Sequence, residues 1–332
     1  VPGFIDLHVH GAKGKDVMDA NEDAFNVISK SLAADGVTGF LATTMTAPLE
    51  KINAVMEVMP GVMKQAEGAA ILGVHLEGPF IAKTKMGAQR GEFTRDPDIE
   101  LVKQWQKTSQ DAIKLLTLAP ELPGAIPFIE ALHKIGIVAA IGHTDATYDQ
   151  TCEAIKAGST QATHLFNAMR GLHQREPGAV GALLLNNDVN AELIVDRTHL
   201  HPAIVDIAYR IKHKERLILV TDAMRAKCCG DGEYELGGQK IRVKNGVALM
   251  DNGTLAGSTL GMSQAIKNMT QDASCPLEDA VMMATLNPAR VLGLTVNKGS
   301  IEVGKHADLV VLNADLQVTL TMREGRTIYS AT

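Results

Sequence analysis

Pro2-Gly-Phe-Ile-Asp-Leu-His-Val-His-Gly11 is the stretch on which the reading of this chain turns. Phe4 to His10 is an apolar, strand-like run that ends in polar residues. His8 and His10 are spaced i, i+2, so in a strand both imidazoles point to the same face. If the strand belongs to a barrel, that face can be the interior, and two histidines there suit a metal ion.

Seven further runs of the same kind follow, at Thr38–Met45, Ile71–Glu77, Lys114–Glu121, Ile137–His143, Ala162–Asn167, Glu192–Asp196 and Leu217–Asp222. Amphipathic helical stretches separate most of them, such as Ala24–Ala34, Leu49–Val62, Ile99–Lys107 and Ile126–Lys134. Thr147–Ala157, Pro202–Lys212 and Leu260–Ala273 continue the series. Eight strands buried on both faces and mostly joined by helices predict a parallel (β/α)8 TIM-like barrel rather than an open sheet. No strand is followed by the Gly-rich fingerprint of a dinucleotide-binding fold.

Two places break the rhythm. Between Asn167 and Ala191 a long loop is expected in place of most of a helix. Between Asp222 and Leu260 an insertion reads as short strands at Glu233–Leu236, Lys240–Val243 and Val247–Leu249. After a helix at Leu277–Gly293 the tail alternates around turns at Ala307–Leu312, Val318–Thr321 and Thr327–Tyr329. That pattern predicts a small antiparallel β-sandwich appendage. The expected division is a metal-dependent catalytic barrel over residues 1–294 and appendage strands over 295–332. The chain opens at Val1 without an initiator Met, and a preceding segment is expected to partner the tail strands.

With 332 residues, 45% hydrophobic and 21% charged, the composition is that of an ordinary folded domain with ample core. A net charge of −6 argues against a broad nucleic-acid-binding face, though one or two local cations suffice for a small anion. No apolar run is long enough to span a bilayer. Cys152, Cys228, Cys229 and Cys275 form no paired framework, so free thiols in a reducing cytoplasm are expected. The vicinal Cys228–Cys229 pair is assigned no chemistry.

Active sites of such barrels gather at the C-terminal ends of the strands. Those ends here carry His8 and His10, His75 and Glu77, His143, His164 and Asp222. Imidazole nitrogens and carboxylate oxygens are the ligand set of a Zn²⁺ or Fe²⁺ site. A lone histidine is more often a hydrogen-bonded structural residue. A set of such groups at the mouths of different βα units, in barrel order, is not explained that way. Asp222 differs in kind: a carboxylate beside an activated water can take its proton and later return one.

These residues resemble the amidohydrolase superfamily, and within it the N-acetylglucosamine-6-phosphate deacetylases. Pro2-Gly-Phe-Ile-Asp-Leu-His-Val-His-Gly11 and the tail Gly304-Lys-His-Ala-Asp-Leu309 are similar to superfamily-wide signatures. His75-Leu-Glu-Gly-Pro79, Thr163-His-Leu-Phe-Asn-Ala-Met169, Arg175-Glu-Pro-Gly178, Thr221-Asp-Ala223 and Gly253-Thr-Leu-Ala-Gly-Ser258 are similar to the deacetylase subgroup. The resemblance implies that Glu77, His143 and His164 hold one divalent metal, Zn or Fe. It implies a second ion on His8 and His10 that shares Glu77, with Asp222 as general base and then acid. It also implies a sugar pocket formed by Gln89, Asn167, Ala168, Met169 and the Leu255, Ala256, Gly257, Ser258 loop. Arg175 and His199 would take the phosphate of an amino-sugar phosphate, one of them across a homodimer interface. Gln89 stands where some members have a histidine. The rivals are a galactosamine-specific or cyclic-amide-cleaving relative, and a barrel that has lost its ligands and serves as a scaffold. The constellation shows no gap, which argues against the last.

Overall fold

The computed structural model describes residues 1–331. Eight strands form one sheet in chain order: β1 Phe4–Val9, β2 Val37–Thr44, β3 Ala70–Glu77, β4 Ile113–Leu118, β5 Val138–Ile141, β6 Gln161–Ala162, β7 Asn190–Leu193 and β8 Leu217–Leu219. Every neighbouring pair is parallel. The sheet closes where Asp222 N–H donates to His8 O (3.0 Å) and His10 N–H donates to Ala223 O (2.8 Å). The product is the expected (β/α)8 barrel. β2 is buried at all eight positions, as a strand covered on both faces must be.

Helices wrap the barrel because local caps and an apolar stripe agree. In α1 (Glu22–Ala34) the Asn21 side chain accepts from Ala24 N–H, Glu22 and Asp23 occupy the first turn, and Ala24, Phe25, Ile28 and Leu32 face inward. α5 (Tyr148–Lys156) opens on a reciprocal Thr147–Gln150 capping box. α2 (Leu49–Gln65), α3 (Ile99–Thr108), α4 (Ala125–Lys134), α7 (Pro202–Lys212) and α8 (Met262–Asp272) complete the layer with α9 (Leu277–Met283) and α10 (Leu286–Val291).

The stretch 167–191 departs from expectation. It contains α6, Gly178–Leu185, whose residues Gly178 to Leu184 are all buried. Uniform apolarity hid it, since a helix buried all round shows no amphipathic period. The insertion after β8 forms an antiparallel sheet of β9 (Gly232–Leu236), β10 (Gln239–Lys244) and β11 (Val247–Met250). Its inner face builds a second apolar cluster in which Leu236, Ile241 and Val243 meet Met45, Met224 and Ala256. The tail forms one three-stranded antiparallel sheet, β12 (Leu309–Leu312), β13 (Val318–Arg323) and β14 (Arg326–Ser330). Pro2 bridges to Leu309, and Thr321 Oγ1 donates to Ala33 O of α1 (2.7 Å), tying this sheet to the barrel.

Candidate metal centre and active site

His8 and His10 leave β1 on one face, and their Nε2 atoms lie 3.2 Å apart. The Nε2 atoms of His143 and His164 also lie 3.2 Å apart. Between the two pairs stands Glu77. Its Oε1 is 3.1 Å from both His143 Nε2 and His164 Nε2, and its Oε2 is 3.3 Å from His10 Nε2. Asp222 Oδ1 faces the first pair, 3.3 Å from His10 and 3.5 Å from His8. The expected ligands therefore converge as two clusters, His8–His10–Asp222 and Glu77–His143–His164, with Glu77 touching both.

The backbone that delivers them is not simple strand. His143 (φ 49°), His164 (φ 31°) and Asp222 (φ 48°) lie just beyond their strands in the left-handed region, as do Phe166 (φ 78°) and Ala168 (φ 52°). Bulky non-glycine residues avoid that region, and strained conformations of this kind concentrate at functional sites. Each strand end turns sharply and throws its side chain over the barrel mouth.

The residues fit a divalent ion. His143 Nδ1 lies 2.9 Å from Lys85 O, His10 Nδ1 lies 3.2 Å from Thr43 O, and His8 Nδ1 lies 3.3 Å from Glu192 Oε2. A carbonyl or carboxylate only accepts, so each Nδ1 is the donor and each Nε2 is left to a second proton or to a metal ion. Lone pairs facing one another at 3.2 Å repel unless a cation sits among them, and fixing a ligand's tautomer through its far nitrogen is the usual support of a metal site. The charges agree. Burial pushes the His8 ring down, but Asp222 and Glu77 overcome it and hold the ring well above the ordinary histidine range. His10 is likewise depressed by burial and lifted by Asp222 and Glu77, to about 9. The site calls for positive charge, which a dication supplies.

A cavity of about 370 Å³ opens over the clusters, walled by His10, Glu77, His143, His164 and Asp222. Asn167, Ala168, His199, Leu255 and Gly257 line it as well. His199 is held by Asp196, whose Oδ2 takes Nδ1 at 2.7 Å and whose Oδ1 takes the backbone N–H at 2.7 Å. Burial lowers this ring, and the Asp196 bond outweighs it and raises its affinity for a proton, which suits an anion. Gly257 (φ 61°) is required where it stands: a Cβ there would come within 3.0 Å of Asp222 O.

The other sequence-predicted pocket residues are engaged with their neighbours or lie outside the lining. Gln89 lines the cavity, but its Oε1 accepts from Thr46 N–H (2.7 Å) and its Nε2 donates to Glu77 Oε2 (2.5 Å). Its amide is thereby engaged in orienting Glu77. Ser258 Oγ donates to Thr221 O, and Ser258 N–H donates to Asp222 O, so it braces the aspartate from behind. Ala256 is in the apolar cluster under the insertion, and Met169 is buried in the main core. Arg175 is exposed, in the loop ahead of α6 and outside the cavity lining. Sequence reasoning missed Met45 and Leu236, which form an apolar wall, and Thr84 and Lys85 at the rim. It also missed Glu192, which carries no motif of its own.

A parallel barrel whose strand ends converge carboxylates and imidazoles under one cavity defines a class of metal-dependent hydrolases. The amidohydrolase family model matches residues 1–328, and the chain belongs to that family. Among similar proteins, the N-acetylglucosamine-6-phosphate deacetylase of Lysinibacillus sphaericus is 43% identical over 98% of this chain and 84% of its own length. An N-acetylgalactosamine-6-phosphate deacetylase from Escherichia coli O157:H7 is 38% identical over 98% of this chain and 86% of that protein. A variant of the Mycobacterium smegmatis N-acetyl-D-glucosamine-6-phosphate deacetylase, solved in complex with N-acetyl-D-glucosamine-6-phosphate, superposes with a TM-score of 0.93. It is 39% identical, and the match covers 99% of this chain and 87% of that one.

Proposed function

We propose that this chain hydrolyses the acetamide of N-acetylglucosamine 6-phosphate, releasing acetate and glucosamine 6-phosphate. The observation that carries the reading is the convergence of four Nε2 atoms on Glu77, with Asp222 beside them on the cavity floor. Glu77, His143 and His164 would hold one divalent ion, zinc or iron, and His8, His10 and Asp222 a second that shares Glu77. Such an ion supplies a Lewis acid that polarises the amide carbonyl and acidifies water.

The remaining steps fall to the chain itself. Burial pushes the Asp222 carboxyl up, and protonated His8 and His10 outweigh it and hold it at about 2; a dication held by the same two rings would likewise keep it ionised and able to accept a proton. Asp222 takes the proton of the attacking water as the carbonyl carbon becomes tetrahedral, then returns it to the nitrogen as the C–N bond breaks. His199, charged against Asp196, binds the phosphate. Asn167, Ala168 and the Leu255–Gly257 turn hold the sugar. Arg175, exposed in the loop ahead of α6, would reach the phosphate of a partner subunit in a homodimer.

No helix among the described residues is long and apolar enough to cross a membrane. A cytoplasmic place suits an intracellular sugar phosphate. Acetate release from N-acetylglucosamine 6-phosphate and from N-acetylgalactosamine 6-phosphate, with ring opening of cyclic amides followed separately by absorbance, tests the substrate. The glucosamine isomer is expected to give the highest kcat/KM. Three bacterial relatives named for the glucosamine isomer are 42–43% identical to this chain, against 38% for the bacterial relative named for the galactosamine isomer, which favours that order.

A further inference from the structure

Behind the two clusters, in the closed interior of the barrel, lies a layer of polar side chains where an apolar filling is usual. Asp6, His75, Thr117, Gln161, Thr163 and Glu192 in this layer are all buried to 1% exposure or less. His75, Glu192 and His8 lie close enough to form a third ligand group. It is not a metal site, because both His75 nitrogens are spoken for. Nδ1 donates to Leu7 O (3.1 Å), and Nε2 accepts from Thr117 Oγ1 (2.7 Å), which accepts in turn from Thr163 Oγ1 (2.7 Å).

Glu192, on β7, is the member of this layer that reaches both clusters. Its Oε2 accepts from His8 Nδ1 (3.3 Å) and from the backbone N–H of His164 (3.2 Å), while its Oε1 accepts from Gln161 Nε2 (3.0 Å). Three donors surround one carboxylate, and Glu192 is absent from the cavity lining. We infer that Glu192 is a positioning residue that fixes the His8 tautomer and the His164 backbone together, and so couples the two half-sites of the metal centre. The inference rests on the metal-dependent reading of the site. The coupling follows from the donor count. If His8 loses its acceptor, the ring is free to carry its proton on Nε2, the atom that must face the ion. If the His164 amide loses its acceptor, a buried N–H is orphaned at a residue already held at φ 31°.

Two variants separate the hydrogen-bonding role from charge and from packing. In Glu192→Gln the side-chain oxygen can take the Oε2 position and keep both the His8 and His164 bonds. Gln161 then turns its amide to meet the new NH2, an easy exchange because its own Oε1 is unpartnered. In Glu192→Met the volume stays and every acceptor goes. Zn²⁺ affinity by chelator competition, and the visible spectrum of the Co²⁺-loaded protein, read the ligand geometry without reference to activity. E192Q is expected to bind Zn²⁺ within about tenfold of wild type with an unchanged Co²⁺ spectrum. E192M is expected to bind both ions about 10- to 100-fold more weakly with an altered spectrum, the size of effect seen on removing such outer partners. Thermal unfolding of the metal-free proteins reads any folding defect separately. The inference is overturned if E192M holds Zn²⁺ as tightly as wild type and only its unfolding temperature falls. It is equally overturned if E192Q, the variant that decides alone should E192M not fold, loses the ions or the spectrum. A wild-type chain that binds no transition ion at all overturns the proposed function along with it.

Discussion

Asp222→Asn tests the proton-transfer step, because the fold around residue 222 does not depend on its carboxylate. The backbone at residue 222 is held by Asp222 N–H to His8 O (3.0 Å) and by Ser258 N–H to Asp222 O (2.7 Å), neither of which uses the side chain. Asn tolerates φ 48° as readily as Asp. The fold and the unfolding temperature should therefore be nearly unchanged. Glu77, His143 and His164 meet without Asp222, so their ion should stay. The first cluster loses one negative oxygen lying 3.3 and 3.5 Å from its two imidazoles, and its ion should weaken. The amide of Asn can neither accept the proton of water nor return one to nitrogen. General acid–base catalysis is worth about 10² to 10⁴ in rate. Asp222 serves both halves of the reaction, so kcat should fall by about 10⁴, roughly 5.5 kcal/mol of barrier. The assay is acetate release at saturating N-acetylglucosamine 6-phosphate, with metal content measured on the same sample. A variant that retains metal and turns over within tenfold of wild type would refute the assignment of Asp222 as base and acid.

Other perturbations separate the parts of the site. Glu77→Gln removes the charge both clusters share, so metal analysis should find neither ion retained. His8→Asn with His10→Asn removes only the first cluster, and the purified protein should keep one equivalent of metal on Glu77, His143 and His164. His199→Gln should raise KM for the phosphorylated sugar by about tenfold or more, the worth of one charged contact, with a smaller change in kcat. Fully buried Lys212 gives a pH test of stability. Burial, aided by the charge of Arg216, lowers its pKa from 10.5 to about 8. Between those values the unfolded chain holds a proton that the folded chain has released, so stability rises with pH across the window. The penalty is fully present below pH 8, at no more than about 3 kcal/mol. Urea unfolding at pH 7.5 and 9.5 should show the rise in wild type and its absence in Lys212→Met.

Much of this architecture was readable from the chain because two signals coincided. Apolar runs buried on both faces marked the strands, and polar residues at their ends marked the mouth. The same signals explain the misses. α6 is apolar on every side, so nothing in its period distinguished helix from loop. β6 is two residues long, and the residues after it leave the strand through left-handed turns at His164 and Phe166. Propensity disfavours such turns, and only the surrounding structure imposes them. Gln89 lines the cavity, but its side-chain bond to Glu77, and those of Ser258 to the backbone around Asp222, are set by the folded chain and leave no mark in the spacing. Glu192 was hidden within a strand, because a buried carboxylate is identified by its partners, which lie 184 and 28 residues away in the chain.

A metal centre at the barrel mouth that cleaves an N-acetyl amide must lose its activity with its metal. The most direct test is metal analysis of the purified chain coupled to acetate release from N-acetylglucosamine 6-phosphate, before and after chelation. Bound zinc or iron is expected, with loss of acetate release on chelation and its return with Zn²⁺ or Fe²⁺. A chain that binds no transition metal, and releases no acetate when either ion is supplied, would contradict it.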